Sequence, residues 1–450
     1  MLIDLIPDVG DNKYMNKVTA RRPSGFVEYL PNEQAQLQKI LNTIRGVYEI
    51  YGFLPVETPA IELAEVLLAK GGGETEQEVY RFTKGDKEYA LHYDLTVPLA
   101  RYVAEHENDL TFPFRRYQMQ KVWRAERAQK GRYREFYQCD ADIIGSDSVG
   151  HDAELVDLCV DVFDALDLGD FTVRINNRKL IGGFLEAIGL QAKTSDILHA
   201  IDKLEKIGVD EVIKLLKSSG CGDDDSAQII NFVNTTGTPS EIFDKLRGLS
   251  IKNETFSLGL TSFYELIEQV EALGVDSSRY SIDFRVVRGL DYYTGTVYET
   301  VFDNYPEFGS VCSGGRYDDL AGYYTKTHLP GVGISIGLSR LFALIQEAGL
   351  IKNVTRPVEV YIVNFGSATR EFALKTAQQF RKHGVKTQVD LDSSKVDKQF
   401  RYADKLGVPF VVVIGEEELS DGKIVLKDMQ SGKQETLAID TAINRLKSIS

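Results

Sequence analysis

Positions 288–295 read RGLDYYTG, a stretch that places a cation, a carboxylate and two phenols together just ahead of a glycine. The flanking residues 283–287 and 296–299 alternate in side-chain character, as β-strands do. We therefore predict two strands joined by a tight turn, with the polar side chains held on a sheet. Taken alone, the pattern fits an ordinary β-hairpin equally well.

Two further segments carry related signals. Residues 114–138 are rich in arginine and are bounded by strand-like runs. Two strands joined by an arginine-rich turn present a fork of guanidinium groups, which suits bidentate contacts with phosphate oxygens. Residues 331–342 read as a glycine-punctuated strand that leads into an amphipathic helix. Glycine in such a strand lets a nucleotide approach the backbone closely.

In order and spacing, residues 114–138 resemble motif 2 of the histidyl-tRNA synthetase family, residues 288–295 its histidine-binding signature and residues 331–342 its motif 3. This family belongs to the class IIa aminoacyl-tRNA synthetases. Residues 45–62 resemble motif 1, so the resemblance spans nearly the whole chain. It implies an α+β catalytic core with a mixed, mainly antiparallel sheet, the class II synthetase fold. It also implies a helical insertion and a C-terminal α/β anticodon-binding domain.

The pattern along the chain, combined with the resemblance, predicts the limits of these parts. The catalytic core is expected in residues 1–177 and 276–352, and the helical insertion in residues 178–275. Strands alternate with helices after residue 357, so residues 357–450 are expected to form a parallel α/β anticodon-binding domain. The resemblance further implies that the insertion lies against the tRNA acceptor stem and that motif 1 forms a homodimer interface.

Composition bounds the class of protein. A chain of 450 residues with 43% hydrophobic and 26% charged residues is typical of a soluble globular protein with two or three domains. The start is too short and acidic for a signal peptide, and no apolar run approaches membrane-spanning length. We therefore expect a cytoplasmic protein without a membrane partner. The four cysteines are scattered singly, as reduced core residues are.

The formal net charge of −15 is unusual for a protein that binds nucleic acid, but it is unevenly distributed. Residues 357–450 contain 14 basic and 13 acidic residues, so the remainder carries −16. A transient tRNA partner needs only a local basic face. Lys395, Lys398 and Arg401 form one candidate face, and a solvated helix side explains them equally well. Charge therefore neither establishes nor excludes a tRNA partner.

Amino-acid activation requires the substrate carboxylate to attack the α-phosphorus of ATP, so cations that hold both anions are the main catalytic device. The resemblance implies that Arg124 contacts the α-phosphate and that Arg288 bridges this phosphate and the substrate carboxylate. These two arginines are the predicted catalytic residues. ATP is expected as a substrate together with Mg²⁺. The ATP-binding positions implied by the resemblance are Arg124, Glu126, Arg132, Phe136 and Arg340.

Recognition of L-histidine requires an acceptor for the ammonium group and one partner for each ring nitrogen. The resemblance implies that Asp94 and Thr96, with Gln138 beside them, serve the ammonium group. It assigns the ring nitrogens to Asp142 and Tyr293. The six histidines are spread too widely to form a ligand cluster, and no metal ligand is predicted among the protein side chains. The histidine-binding positions implied are Asp94, Thr96, Gln138, Asp142, Arg288, Tyr292 and Tyr293.

Two positions depart from the family pattern. Residues 23–28 stand where a Thr-Arg-Asp-Phe type of sequence is usual, and Ser339 stands where a carboxylate often precedes the motif 3 arginine. The second change bears on hydrogen bonding near the adenine or on metal organisation. Arg132 and Gln129 in the motif 2 loop are candidates for contact with the tRNA acceptor end.

The main alternative is a synthetase-like paralogue that binds histidine without charging tRNA, such as the regulatory subunit of ATP phosphoribosyltransferase. Such paralogues typically lose motif arginines and the C-terminal domain. This sequence keeps Arg124, Arg288 and Arg340 as well as the region after residue 356. A synthetase for glycine, proline or threonine is a more distant alternative, and the Leu-Asp-Tyr-Tyr sequence with Asp142 favours an imidazole substrate.

Overall fold

The computed structural model describes residues 19–69, 77–128, 131–287, 293–319, 321–351, 358–392 and 395–448. The described residues divide into two units. One comprises the residues up to Glu28 together with Val47–Ala348, and the other comprises Tyr29–Gly46 together with the chain from Gly349 onward. The helical region after residue 178 belongs to the first unit, so the predicted limits between core and insertion stay predictions.

Strands in the described residues assemble into sheets of eight, five and three strands. Many of their residues are β-branched or aromatic, which favours an extended backbone packed on a sheet. Numbered along the chain, they are β1 (Leu54–Pro55), β2 (Ile61–Leu63), β3 (Arg81–Lys84), β4 (Lys87–Leu91), β5 (Phe114–Trp123), β6 (Glu135–Ile144), β7 (Phe171–Asn177), β8 (Tyr280–Ile282), β9 (Thr296–Phe302), β10 (Cys312–Tyr317), β11 (Gly331–Gly337), β12 (Val360–Val363), β13 (Thr387–Val389), β14 (Phe410–Val413), β15 (Lys423–Asp428) and β16 (Gln434–Ala438).

Helices cover the sheets and fill the region between β7 and β8. Most present an apolar stripe to the core and a polar face to solvent, as amphipathic helices do. In chain order they are α1 (Pro31–Ile50), α2 (Ala64–Leu67), α3 (Thr96–Glu105), α4 (Val149–Leu166), α5 (Arg178–Ala187), α6 (Thr194–Ile201), α7 (Leu204–Ser218), α8 (Asp223–Val233), α9 (Pro239–Gly248), α10 (Glu254–Ala272), α11 (Leu338–Glu347), α12 (Ser367–Lys382), α13 (Val396–Leu406), α14 (Glu416–Asp421) and α15 (Ile439–Lys447).

The eight-stranded sheet has the order β1-β5-β6-β11-β10-β9-β7-β8. Its inner pairs are antiparallel, and the two end pairs, β1 with β5 and β7 with β8, are parallel. The predicted α+β core with a mixed, mainly antiparallel sheet is therefore confirmed.

The arginine-rich segment forms a long antiparallel pair, β5 with β6, as predicted. Arg116 and Gln118 on β5 lie opposite Asp142 and Asp140 on β6. Successive side chains of a strand point to opposite faces, so these four share one face of the sheet. Ala141, which points the other way, is fully buried in the apolar core. The pair thus presents a continuous polar face.

The strand predicted at residues 283–287 is wrong. Strand β8 ends at Ile282, and the next residues form a turn. Asp283 Oδ1 accepts hydrogen bonds from the backbone nitrogen and from Nε of Arg285, at 3.0 and 2.8 Å. An aspartate that bonds the backbone two residues on competes with strand pairing. Moreover, β7 lies between β8 and β9, so the strands on either side of RGLDYYTG do not form a hairpin.

The predicted run of helices after residue 178 is confirmed by α5 to α10. Helix α7 is broken at Gly208, where φ is 79°. The aspartates at 223–225 form the first turn of α8. Asp225 Oδ2 accepts a hydrogen bond from the backbone nitrogen of Gly222 at 2.9 Å. Carboxylates there also interact favourably with the helix dipole, so they stabilise the start of this helix.

The C-terminal unit contains the five-stranded sheet, in the order β13-β12-β14-β15-β16. The parallel layer predicted after residue 357 is right for β13, β12 and β14 but wrong for β15 and β16, which pair antiparallel. Asp428 Oδ1 accepts from the backbone nitrogens of Gln430 and Ser431 at 2.9 and 2.8 Å. This aspartate turn reverses the chain between β15 and β16.

The cysteines are core residues, as predicted, because all four are buried. Within the described ranges, no helix combines the length and the apolar character needed to cross a membrane.

Candidate active site

A cavity of about 370 Å³ opens on the polar face of the eight-stranded sheet, and we call it the central cavity. It gathers residues from β6, β9, β10 and β11, from α3 and α11, and from the loops beside them. Asp140, Glu299, Ser313 and Ser335 line it without having been predicted. The predicted site residues that line it are Asp94, Thr96, Arg124, Glu126, Arg132, Phe136, Gln138, Tyr293 and Arg340.

Arg288, Tyr292 and Gln129 lie outside the described residues. The parts of the chain that border the first two are nonetheless fixed. Arg178, the first residue of α5, donates from Nη1 to the carbonyl of Tyr293 at 2.9 Å and from Nη2 to the carbonyl of Val287 at 3.1 Å. One guanidinium group therefore binds the backbone on both sides of residues 288–292.

Arg124 is held against the cavity wall by two contacts. Its Nε donates to the carbonyl oxygen of Tyr93 at 3.0 Å. Its guanidinium carbon lies 5.2 Å from the centre of the Phe136 ring, within the range of a cation–π interaction. These contacts fix the plane of the guanidinium group before any anion arrives. An anion bound there does not have to order a mobile side chain.

Arg132 faces Glu126 across the cavity mouth, with Nη1 and Oε2 3.5 Å apart. The side chain of Arg132 is 50% exposed, so this ion pair is weak and is screened by solvent. Arg132 can exchange it readily for a phosphate. Nη2 of Arg340 donates to the carbonyl oxygen of Phe308 at 2.6 Å. The two cations thus differ in how firmly they are held, because Arg340 is fixed by a hydrogen bond to the backbone and Arg132 has only a weak, exposed ion pair.

Asp94 presents one carboxylate oxygen to the cavity. Its Oδ1 accepts from the backbone nitrogen of Val97 at 3.1 Å, in the first turn of α3. Its Oδ2 is buried and has no hydrogen-bond partner among the described residues. Burial raises the pKa of Asp94 to about 6. A buried acceptor of this kind favours a cationic donor as its partner.

Asp142 is engaged by two buried side chains. Nη2 of Arg116 lies 2.8 Å from its Oδ2, and the hydroxyl of Tyr317 donates to its Oδ1 at 3.0 Å. Arg116 is fully buried and also donates from Nη2 to the carbonyl oxygen of Leu95 at 3.3 Å. Burial raises the pKa of Asp142, and the charge of Arg116 opposes the rise. Asp142 does not line the central cavity, so its role toward the imidazole ring stays a prediction.

Glycines create the space for these side chains. A Cβ atom on Gly333 would lie 2.1 Å from Asp142 Oδ1, and one on Gly315 would lie 2.9 Å from the ring of Tyr293. The glycines of β11 were predicted to let a nucleotide approach the backbone. At Gly333 the group that approaches is a carboxylate of the protein itself. Gly337 lines the central cavity, and a Cβ there would meet nothing within 4 Å.

Replacing Gly333 with alanine is expected to lower the free energy of unfolding by about 1–3 kcal/mol, because the added methyl group must displace the Asp142 carboxylate. Urea denaturation of both proteins measures the change. Gly182→Ala in α5 is the matched control, since its Cβ meets nothing within 4 Å. The control is expected to be neutral or to stabilise by up to about 1 kcal/mol. Equal stability of the two variants would contradict the prediction.

Ser339, the departure from motif 3, has a structural contact. Its Oγ accepts a hydrogen bond from the backbone nitrogen of Tyr137 at 2.9 Å, which joins α11 to β6. The side chain is buried. Its effect on adenine binding or on metal organisation stays a prediction.

The sequence carried a signal for some of the residues that were missed. Arg116 lies two residues from Gln118 on β5, and Asp140 lies two residues from Gln138 on β6. Side chains two residues apart on a strand point to the same face, so this spacing indicates the polar face. Tyr317 and Arg178 had no such signal, because their partners are distant in sequence.

The fold of the larger unit is that of the class II aminoacyl-tRNA synthetases. Residues 25–341 match the family model described as histidyl-tRNA synthetase, and residues 359–449 match the anticodon binding domain model. The chain belongs to the histidyl-tRNA synthetase family.

Individual relatives agree with the family models over nearly the full length. A Clostridium tetani protein named Histidine--tRNA ligase is 48% identical, with 94% of this chain and 97% of the relative covered. A protein of the same name from Xanthomonas axonopodis pv. citri is 45% identical, with 96% of each chain covered. The crystal structure of histidyl-tRNA synthetase from Nostoc sp. PCC 7120 is 41% identical, with a TM-score of 0.89, and the match covers 96% of this chain and 100% of that one.

Proposed function

We propose that this protein ligates L-histidine to its tRNA in two steps, through a histidyl-adenylate intermediate. Membership of the family and the names of its full-length relatives support the proposal. The observation that carries it is the joint opening of Arg124, Arg340 and Asp94 into one cavity. Two cations for phosphates and a buried acceptor for an ammonium group fit the two substrates of the first step.

In the first step, a carboxylate oxygen of histidine attacks the α-phosphorus of ATP, and the bond to the bridging oxygen breaks to release pyrophosphate. Arg124 contacts the α-phosphate and stabilises the charge that gathers there. Arg288 holds the substrate carboxylate against the same phosphate. Arg132 and Arg340 bind the outer phosphates, and Glu126 with Phe136 receives the adenine.

Histidine is oriented by its two polar ends. Asp94, Thr96 and Gln138 bind the ammonium group, and Asp142 and Tyr293 bind the ring nitrogens. Tyr292 is a further candidate for histidine binding. A site with a partner for each ring nitrogen rejects flat side chains that lack them, because its buried polar groups would then stay unpaired.

Magnesium accompanies ATP in this proposal. Mg²⁺ usually keeps several waters and binds through one or two carboxylates together with substrate phosphates, rather than in a cage of protein ligands. Glu299 in the cavity wall can supply such a carboxylate, so the residues present fit the ion. The described residues contain no group of three His, Cys, Asp or Glu arranged to hold a metal. When bound, the ion neutralises phosphate charge.

In the second step, a hydroxyl of the terminal ribose of the tRNA attacks the carbonyl carbon of histidyl-adenylate, the new ester bond forms and AMP leaves. The match of residues 359–449 to an anticodon binding domain supports tRNA as the partner. Lys395, Lys398 and Arg401 are exposed at or near the start of α13 and form a candidate face for it. Arg132 and Gln129 are candidates for acceptor-end contact. We also propose a homodimer acting in the cytosol.

The regulatory-paralogue alternative is not favoured. Relatives named Histidine--tRNA ligase cover nearly the whole chain, including the C-terminal unit that such paralogues typically lack. The central cavity also retains Arg124 and Arg340.

Exchange of pyrophosphate into ATP tests the first step. We expect exchange with histidine and none with glycine, proline or threonine. Arg288→Ala is expected to lower the exchange rate by at least about 100-fold, because one charge-stabilising donor is lost. Absence of exchange in the wild-type protein, with measurable histidine binding, would contradict the proposed enzyme and favour the regulatory paralogue.

A further inference from the structure

Asp140 and Ser335 line the central cavity but have no part in the proposed reaction. They are cross-strand partners, on β6 and β11. Asp140 is only 2% exposed, and its strand neighbour on the same face is Gln138. A buried carboxylate in a substrate cavity is retained only where it has a partner that uses its charge.

The three side chains form a linear chain of hydrogen bonds. Gln138 Nε2 donates to Ser335 Oγ at 2.6 Å, and Ser335 Oγ donates to Asp140 Oδ1 at 2.5 Å. A hydroxyl has a single hydrogen to donate, and an ionised carboxylate can only accept. Ser335 therefore gives its hydrogen to Asp140 and accepts from Gln138. This order requires the nitrogen of the Gln138 amide, not its oxygen, to face the serine.

The hydrogen bonds that join Gln138, Ser335 and Asp140 do not use the amide oxygen of Gln138. Gln138 Oε1 is buried and has no hydrogen-bond partner within the described part of the chain, and the same is true of Asp94 Oδ2. Both atoms are acceptors, and both residues line the central cavity. Two buried acceptors without donors suit a cation that carries several N–H groups, such as an α-ammonium group.

We propose that Asp140, acting through Ser335, is a positioning residue that fixes the Gln138 amide with its oxygen toward the substrate ammonium group. The proposal rests on the proposed function, which puts an amino acid in this cavity. With the opposite orientation, the amide NH₂ group would meet the ammonium donors and repel them. Asp140 thus sets the preference of the site for a cationic group through Ser335 and Gln138.

Protonation of Asp140 reverses the donor and acceptor roles in this chain of hydrogen bonds. Burial raises the pKa of Asp140 to about 7, although the charge of Arg116 opposes the rise. A protonated Asp140 donates to Ser335, whose hydroxyl then donates to Gln138 and favours the flipped amide. Affinity for the ammonium group is therefore expected to fall as the pH falls through about 7. The charged side chains that face Asp140 are Arg116 on β5, Asp142 on β6 and Asp94 ahead of α3, with Glu299 on β9 in the same cavity wall.

Two ligands that share the imidazole ring test the proposal. Histidinol keeps the ammonium group and lacks the carboxylate, whereas imidazole propionate keeps the carboxylate and lacks the ammonium group. We expect Ser335→Ala to raise the dissociation constant of histidinol about tenfold and that of imidazole propionate less than about twofold, as titration calorimetry measures. Ser281→Ala on β8, outside the cavity, is the matched control and should change neither.

The pH profile gives a second readout that a purely structural role would not move. The two ligand rings titrate differently, because the ammonium group of histidinol lowers the ring pKa and the carboxylate of imidazole propionate raises it. Dividing the wild-type ratio of the two dissociation constants by the ratio in Asp140→Asn at the same pH cancels this titration. This quotient should shift against histidinol as the pH falls through about 7, where Asp140 titrates, whereas the titration of Asp94 at about 6 is common to both proteins and cancels. An equal loss of affinity for both ligands in Ser335→Ala, or no loss of affinity for histidinol, would overturn the proposal.

The two proposals fail in different ways. A wild-type protein that binds histidinol but shows no histidine-dependent exchange contradicts the proposed enzyme, and the binding comparison still decides the role of Asp140. A wild-type protein that exchanges normally, while Ser335→Ala retains histidinol affinity, contradicts the role of Asp140 alone. A wild-type protein that does not bind histidinol overturns the proposed ammonium site and the role of Asp140 with it.

Discussion

Replacing Arg124 with alanine is expected to lower the kcat of histidine-dependent ATP–pyrophosphate exchange by about 10²–10³-fold. The reason is geometric as well as electrostatic. The carbonyl of Tyr93 and the ring of Phe136 hold this guanidinium group in one orientation, so its charge is in place before the α-phosphate becomes more negative. A preorganised charge of this kind acts more strongly on the transition state than on bound ATP.

Two comparisons sharpen this prediction. Arg124→Lys keeps the charge but loses the planar fork and the stacking on Phe136, so it should recover only a small part of the rate. Arg247→Ala removes an exposed arginine of α9 that pairs with Asp244, and it should leave exchange unchanged. A loss of less than about threefold in Arg124→Ala, well under 1 kcal/mol in barrier height, would exclude the proposed contact with the α-phosphate.

Replacing Arg116 with methionine is expected to lower the free energy of unfolding by about 3–5 kcal/mol, because it leaves the Asp142 carboxylate buried without its cation. Trp123 is the only tryptophan of the chain and lies at the end of β5, so its fluorescence in a urea titration reports on this sheet. Histidine binding should fall in parallel, since the position of Asp142 depends on Arg116.

A double variant is the matched control for this change. Arg116→Met combined with Asp142→Leu removes both charges and should be more stable than Arg116→Met alone. In the single variant the carboxyl stays protonated when folded and ionises when unfolded, so folding takes up a proton. Its stability should therefore fall as the pH rises above about 4. Equal stability of Arg116→Met and the wild-type protein would contradict the ion pair.

Much of the site could be predicted where the signal is local. The spacing of polar residues by two along β5 and β6 identifies the polar face from the sequence, and the arginine-rich turn between them follows from composition. Asp283 shows the limit of that approach. The alternation after it is typical of a strand, yet its carboxylate captures the backbone of Arg285 and the strand ends at Ile282.

Contacts between distant segments could not be predicted in this way. Tyr317 and Asp142 are 175 residues apart, and only the antiparallel register of β6, β11 and β10 brings them together. The chain of Gln138, Ser335 and Asp140 depends on the same register. No periodicity in a single sequence contains that pairing, because it is fixed by which strands become neighbours.

The glycines of β10 and β11 have a consequence for attempts to change the amino acid that this protein accepts. At Gly315 and Gly333 the wall beside Tyr293 and Asp142 is already bare main chain. Trimming these positions cannot admit a bulkier substrate, because there is no side chain left to remove. Extra room has to come from Tyr293 or Tyr317, and removing Tyr317 also deletes the hydrogen bond to Asp142. A change at Tyr317 that admits a larger amino acid therefore also weakens the polar contacts that hold Asp142.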